Sequence, residues 1–218
     1  MKGVNLTLPD KKLLHKTGDV DYYDWYYKFP IKYILKYRFK RIVQLLGNKK
    51  YPFLLEAGTG SGIFLPELSK HCENMFACDI HNNFDNIVLL CEKYKIICNL
   101  STQSIDNTNF HDNYFDVVVA ASVLEFVPDI QKAVSEIKRI LKKDGIFITV
   151  CPMESWLLDF FVSLYSRKHP KEEFGNSRQE VSKILEQNFI IITKGYLFPL
   201  IGKFFPVYTH YKLKNPEK

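Results

Sequence analysis

Two kinds of segment are missing from this chain: a long apolar run and a paired cysteine motif. No stretch of about 18 consecutive apolar residues occurs, so the sequence predicts no membrane-spanning helix. Residues 1–6 lack the apolar core of a signal peptide. The five cysteines are odd in number and include no C-x-x-C pair, which argues against a disulfide framework and against a zinc site. Together these absences predict a reduced, cytoplasmic protein.

The chain also lacks a large excess of charge of either sign. The 30 Lys and Arg residues against 24 Asp and Glu residues leave a net charge of +6, well short of the cationic surface of a dedicated nucleic-acid binder. No internal repeat or low-complexity linker divides the 218 residues, so one α/β domain with some additions is expected. Aromatic residues are abundant, at 15% of the chain, which suits a large core or an apolar substrate pocket.

The spacing of apolar residues predicts alternating helices and strands. An amphipathic helix over 30–46 ends near Gly47. The strands that follow are predicted at 53–55, 75–78, 96–98, 115–120 and 145–150, with helices at 62–72, 82–94 and 129–142. This alternation implies crossover connections and a mostly parallel sheet with helices on both faces. In the last third, helices are predicted at 153–166 and 177–187, a polar loop at 167–176, and an antiparallel strand pair at 188–196 and 206–214.

The most informative segment is a glycine loop that follows the first of these strands, Glu56-Ala57-Gly58-Thr59-Gly60-Ser61-Gly62. Glycine at alternate positions permits positive φ and close approach of a ligand to the backbone. Ile63 stands where the dinucleotide-binding fingerprint requires its last glycine, and the carboxylate of Glu56 suits a cationic ligand better than a pyrophosphate. Asp79 ends the next strand, where a carboxylate can accept both hydroxyls of a ribose. A plain tight turn, a turn-capping Glu56 and a helix-capping Asp79 are the alternatives.

In these residues the chain resembles the class I S-adenosylmethionine (SAM)-dependent methyltransferases, of the small-molecule type with a domain similar to methyltransferase domain 11. The resemblance covers residues 50–151, and segments 110–118, 122–129 and 141–145 within this range also match the family's pattern. It implies a Rossmann-like, doubly wound α/β fold whose seven-stranded sheet is mostly parallel with an antiparallel C-terminal strand. It also implies an N-terminal helical and aromatic extension over 1–49 and a SAM-binding domain over 50–218, in which 152–218 contribute the substrate side.

The cofactor implied by the resemblance is SAM, and no metal is expected. Ten residues correspond to the family's cofactor-binding positions: Glu56, Gly58, Thr59, Gly60, Gly62, Asp79, Ile80, Ser104, Ile105 and Ala121. Two positions depart from the family pattern. Ser104 stands where the family often has an adenine-binding Asp, although Asp106 is two residues away, and Phe126 stands where the small-molecule branch often has His.

Catalytic residues are harder to assign, because methyl transfer mainly requires alignment of the reacting atoms and needs a base only for a weakly nucleophilic acceptor. No residue is assigned this role. Glu125, Tyr165 and His169 are candidates by their location near the carboxyl ends of strands. The aromatic residues 22–29 either close over the cofactor, with Trp25 or a neighbouring Tyr shaping the pocket, or pack on the sheet edge.

The predicted function is transfer of a methyl group from SAM to a small-molecule or lipid-like acceptor, at oxygen or carbon. Residues 120–124 lack the Asn/Asp-Pro-Pro-aromatic motif of base methylation, and no nucleic-acid partner is expected. A SAM-binding regulatory protein without activity and an NAD(P)-dependent oxidoreductase are the alternatives. A basic helix face and an apolar tail at 196–206 leave open a contact with an anionic membrane surface. The other interpretation is that the helix face is simply solvated and that the tail packs in the core. That face carries Lys32, Lys36, Lys40, Arg38 and Arg41. The oligomeric state is not predicted.

Overall fold

The computed structural model describes residues 5–18, 21–156, 159–160, 163, 177–198 and 207–216. Its strands are β1 (Tyr51–Ala57), β2 (Cys72–Asp79), β3 (Cys98–Thr102), β4 (Phe115–Ala121), β5 (Leu141–Pro152), β6 (Ile190–Tyr196) and β7 (Tyr208–Lys214). Its helices are α1 (Ile31–Leu46), α2 (Leu65–Leu68), α3 (Asp85–Tyr94), α4 (Ile130–Ile140) and α5 (Ser177–Asn188). Short 3-10 turns lie at Lys11–Leu13, Tyr23–Tyr27, Ser69–His71 and Leu124–Phe126.

The strands form one seven-stranded sheet in the order β3-β2-β1-β4-β5-β7-β6. Strands β1 to β5 are parallel to one another, and β7 is antiparallel to both β5 and β6. This topology confirms the predicted Rossmann-like sheet with an antiparallel C-terminal strand. Because the parallel strands share one direction, β1, β2 and β4 end at the same edge, where Ala57 pairs with both Cys78 and Ala120.

Each face of the sheet has its own apolar core, because successive side chains of a strand point to opposite faces. Val117 and Val119 of β4 pack with α1, α2 and α3. Val118 and Ala120 pack with α4 and α5. The helices therefore lie on both faces, as the alternating pattern predicts, and hold the strand ends in register.

Several element boundaries differ from the sequence prediction. The helix predicted at 62–72 is confined to α2 and a 3-10 turn, because positive φ at Gly58, Gly60 and Gly62 continues the loop and Cys72 already pairs in β2. Strand β3 begins at Cys98 rather than at residue 96, since α3 ends in a left-handed Lys95. The helix predicted at 129–142 ends at Ile140, where Leu141 begins to pair with Phe115.

The remaining predictions on the last third divide by location. Helix 177–187 and the antiparallel strand pair are confirmed as α5, β6 and β7. Most of the predicted helix 153–166, the loop 167–176 and residues 199–206 lie outside the described residues. Within the described ranges, none of the helices is both long enough and apolar enough to cross a membrane. All five cysteines carry free thiols.

Candidate functional site

The glycine loop folds back over the end of β2. The backbone amides of Gly58 and Thr59 donate to the Cys78 carbonyl over 2.8 and 3.2 Å. Gly58 has a φ of 74°, and a Cβ atom there would lie 2.4 Å from Cγ2 of Val123. Only glycine satisfies both constraints, so the loop is a close junction between the ends of β1, β2 and β4.

The Asp79 carboxylate is fixed at the end of β2 by two backbone amides. Gly60 N donates to one of its oxygens and Ile80 N to the other, both over 2.8 Å. The alternative that Asp79 caps the next helix is wrong, because α3 begins at Asp85 with Phe84 at the capping position. Asp79 instead ties the glycine loop to β2 and faces the cavity beside it.

Glu56 is 3% exposed, and its carboxyl accepts a hydrogen bond from Thr59 Oγ1 over 2.9 Å. Burial raises the pKa of Glu56 to about 8, and the charge of Asp79 adds to the shift. Glu56 therefore supports the turn through Thr59 and also places a titratable group at the cavity.

A cavity of about 750 Å³ extends from the glycine loop across the carboxyl edge of the sheet. This volume lies within the range of small-molecule sites. Its lining includes nine of the ten residues predicted to bind the cofactor: Glu56, Gly58, Thr59, Gly60, Asp79, Ile80, Ser104, Ile105 and Ala121. The tenth, Gly62, is not in the lining, and a Cβ there would lie 3.2 Å from Ile87. Gly62 thus serves the packing of the loop on α3.

One end of the cavity has apolar walls and polar groups at its rim. Ile80 is 76% exposed although it lines the cavity, whereas Ile105, which also lines it, is buried. Gln103 and Asp106 line it as well, so the carboxylate that is missing at Ser104 is present two residues later. An exposed isoleucine beside carboxylates suits a flat apolar base that is joined to a hydroxylated sugar.

The N-terminal segment covers part of this cavity, and Trp25 lines it, which confirms the prediction for that residue. Tyr22 stacks on Trp25 with ring centroids 4.2 Å apart. Asp21 also lines the cavity beside Gly60. Asp21 is not among the residues predicted from the sequence, because nothing in the local pattern shows that residues 21–26 fold back onto a loop some 40 positions later.

Arg38 of α1 is buried at the cavity wall, which corrects the interpretation that it belongs to a basic surface. Its Nη1 donates to Ser122 Oγ over 2.5 Å, and Nη2 donates to the Tyr26 hydroxyl. The guanidinium also lies over the rings of Phe39 and Tyr208. Arg41 is likewise engaged, with Nε donating to His210 Nε2 over 3.1 Å. The helix face that carries Lys32, Lys36 and Lys40 is therefore separate from both arginines.

Ser122 has a φ of 60°, a strained conformation for a non-glycine residue that is common at functional sites. Three residues later, Glu125 lines the cavity and is 4% exposed. Burial raises the pKa of Glu125 to about 7, against the opposing charges of Arg38 and Arg178. Phe126 lines the cavity beside it. The other two candidate catalytic residues, Tyr165 and His169, lie outside the described residues.

Comparison with solved structures places this architecture among proteins of one fold. N-methyltransferase NodS from Bradyrhizobium japonicum WM9, in complex with S-adenosyl-L-homocysteine (SAH), is 18% identical, with 84% of this chain and 87% of that chain covered and a TM-score of 0.64. A SAM-dependent methyltransferase from Aquifex aeolicus is 20% identical, with coverages of 81% and 88% and a TM-score of 0.60. The [4+2]-cyclase SpnF, at 12% identity, has a TM-score of 0.63 with coverages of 83% and 80%. These likenesses show the fold alone. A search of the curated proteins gave no match.

The strand order and these structural likenesses define a Rossmann-like α/β fold of the kind found in SAM-dependent methyltransferases. Residues 55–149 match the family model described as a methyltransferase domain. This match, together with the fold, supports a class I SAM-dependent methyltransferase with SAM as its cofactor. This assignment favours SAM over the nicotinamide cofactor of the oxidoreductase alternative.

The residues at the cavity fit this cofactor chemically. The backbone-anchored carboxylate of Asp79 can accept hydrogen bonds from sugar hydroxyls, and Ile80 and Ile105 offer apolar surfaces to a base. Glu56 and Asp21 add carboxyl groups near the glycine loop, and Arg38 adds a cation. A ligand with an apolar base, two hydroxyls, two cationic centres and a carboxylate matches this set of groups.

Proposed function

We propose that this methyltransferase acts on a small-molecule or lipid-like acceptor, which it methylates at an oxygen or carbon atom. The observation that carries the proposal is the continuation of the cavity beyond the cofactor-binding residues. Ile31, Leu35 and Phe39 of α1 line this further part, together with Val127. A cavity with mostly apolar walls supports a compact or chain-like apolar acceptor over a folded macromolecule.

The polar groups in this part of the cavity support transfer of the methyl group to an acceptor atom that must lose a proton. Glu125, Arg38 and Tyr208 all line it. The bound cofactor supplies an electrophilic methyl group on a sulfonium centre. Glu125 would take the proton from the acceptor's O–H or C–H group, and Arg38 would stabilise the carboxylate form of Glu125. The aromatic segment 22–26 would exclude water from the reacting atoms.

The experiment that tests the proposal uses SAM with a radioactive methyl group and a cell extract. The extract is divided into an organic phase, an aqueous small-molecule fraction, and protein and nucleic-acid fractions. We expect label in one of the first two fractions, and Asp79→Ala should abolish it. Label confined to protein or nucleic acid would contradict the proposed acceptor class. Binding of SAM without any label transfer would instead favour a non-catalytic regulatory protein.

We further propose that the acceptor is presented at an anionic membrane surface. The start of α1 supports this, because Ile31 and Leu35 line the cavity while Phe29 and Tyr33 are 74% and 60% exposed. Lys32 and Lys36 lie on the same helix, and exposed aromatic and basic residues together are typical of interfacial helices.

Sedimentation with vesicles tests this second step. We expect co-sedimentation with phosphatidylglycerol vesicles at low salt and none with phosphatidylcholine vesicles. The double variant Lys32→Glu and Lys36→Glu should lose it, whereas the control Lys93→Glu, on the exposed side of α3, should retain it. Absence of wild-type protein from the phosphatidylglycerol pellet would contradict membrane presentation.

A further inference from the structure

Asp21 reaches across the glycine loop from the N-terminal segment. Its carboxyl carbon and Oδ1 lie 3.7 Å from the position that a Cβ atom on Gly60 would take, and Oδ2 lies 3.8 Å from it. Of residues 5–18 and 21–29, which the structure describes, Asp21 is the charged residue that lines the cavity. Asp21 also precedes the region matched by the methyltransferase family model, which begins at residue 55.

The orientation of Asp21 is built into a local turn. Thr17 donates to Asp21 Oδ2 through both its backbone amide, over 3.1 Å, and its Oγ1, over 3.0 Å. The backbone amide of Tyr23 donates to Oδ1 over 3.1 Å. Three donors from one turn hold the carboxylate in place, so the side chain is preorganised at the cavity wall rather than extended into solvent.

A second carboxylate lies on the other side of the same glycine. Asp79 accepts the amide of Gly60, so Asp21 and Asp79 flank one residue of the loop. Burial raises the pKa of Asp21, and the charge of Asp79 raises it further. Among the residues that the structure describes, no ion pair reaches either carboxylate. Two partly buried like charges without a cation are unfavourable, and a cationic ligand removes the penalty.

We propose that Asp21 binds the positive charge of the methyl donor, so that the N-terminal segment distinguishes SAM from the product SAH. When the methyl group leaves, the C–S bond breaks, its electron pair stays on sulfur, and the sulfonium becomes a neutral thioether. The attraction to Asp21 then disappears while the repulsion from Asp79 returns. Asp21 therefore holds the charged substrate form of the cofactor more tightly than the neutral product form and favours release of SAH.

The inference rests on the assigned cofactor and not on the proposed acceptor. Failure to find a methylated molecule in an extract would leave it unaffected. Conversely, a methyltransferase with a lipid-like acceptor could bind SAM and SAH with no contribution from Asp21. The two proposals are thus tested by separate measurements.

Calorimetric titration of the full chain tests the role of Asp21 with three ligands. SAM and the unreactive analogue sinefungin carry a cationic centre near the methyl position, whereas SAH does not. We expect Asp21→Asn to weaken the binding of SAM and of sinefungin by about tenfold, the size expected for one charge pair at a partly buried site. The affinity for SAH should change by less than about twofold. The control Asp24→Asn removes a carboxylate of the same segment that pairs with Lys28, and it should change none of the three affinities.

Two outcomes would overturn the inference: equal weakening of SAM and SAH, or no change in the affinity for SAM. Retained SAH binding shows that the variant is folded, and thermal unfolding of each variant gives a second check. If Asp21→Asn proves unstable, Asp21→Ser removes the charge with a smaller side chain. This variant must also weaken the binding of SAM while leaving the affinity for SAH nearly unchanged.

Discussion

Arg38 and Ser122 are joined by a hydrogen bond of 2.5 Å from Nη1 to Oγ, across 84 positions of sequence. The bond connects α1 to the strained turn after β4, and the other guanidinium arm connects α1 to Tyr26 of the N-terminal segment. One buried side chain therefore links the three parts of the chain that enclose the cavity on this side.

Replacing Arg38 should loosen this link. We expect Arg38→Met to lower the free energy of unfolding by about 1–3 kcal/mol, because Ser122 and Tyr26 lose their charged donor. Proteolytic cleavage within residues 5–29 should also accelerate. Chemical denaturation and limited proteolysis measure the two effects. Lys40→Met, a half-buried position on the same helix, is the matched control and should change neither. An Arg38→Met variant that is as stable and as resistant as the wild type would show that the link is unimportant.

Gly58 offers a sharper test, because Gly47 has nearly the same positive φ angle. The φ values are 74° and 72°, but a Cβ on Gly58 would lie 2.4 Å from Val123 Cγ2. Among the described residues, no atom outside the two chain neighbours lies within 4 Å of a Cβ on Gly47. Gly47→Ala should cost about 1 kcal/mol of stability from backbone strain alone.

Gly58→Ala should cost about 1–3 kcal/mol more, from the clash with Val123, and should also weaken SAM binding. Denaturation and calorimetric titration separate the two effects. Equal losses of stability in the two variants, or unchanged SAM affinity in Gly58→Ala, would mean that the close contact with Val123 has no special importance.

The pKa of Glu56 predicts how cofactor affinity depends on pH. Because burial raises this pKa to about 8, the carboxyl is mostly protonated at neutral pH in the protein without ligand. A cationic ligand favours the ionised form, so binding releases a proton. We therefore expect SAM affinity to rise as pH increases from about 6 to 8 and then to level off. Titrations in buffers of different ionisation enthalpy measure the released proton, and Glu56→Gln should abolish the release.

The same shift predicts an opposite trend for stability in the absence of ligand. The folded protein keeps a proton on Glu56 that the unfolded chain loses near pH 4.5. The contribution of Glu56 to stability is therefore full below that pH and is lost as the pH rises through about 8. Thermal unfolding between pH 5 and pH 9 should show this decline in the wild type and a flatter curve in Glu56→Gln. A wild-type protein with no such decline would contradict the pKa shift.

The parts of the site that the sequence predicts well are those encoded within a short segment. The glycine loop and Asp79 form one strand-loop-strand unit, so spacing and residue type are sufficient to place them. Arg38 could not be placed in this way, because a helical pattern assigns arginine to the solvent side and only the packing of α1 against Ser122 and Tyr208 reverses that. Asp21 depends on how a distant segment folds back, and the short α2 depends on how far the loop's left-handed conformation continues.

Glu125 yields the prediction that most directly concerns the chemistry. Since burial holds its pKa at about 7, a role as proton acceptor predicts that kcat rises with pH through an apparent pKa of about 7. Glu125→Gln should lower kcat by about 100-fold or more, as expected for loss of a general base, while SAM affinity stays within about twofold. The measurement uses the acceptor found by the labelled-extract assay. Glu154→Gln, at an exposed carboxylate that hydrogen-bonds Gln179, is the control and should leave kcat unchanged. A pH-independent rate, or a Glu125→Gln variant with wild-type kcat, would show that the acceptor loses its proton without Glu125.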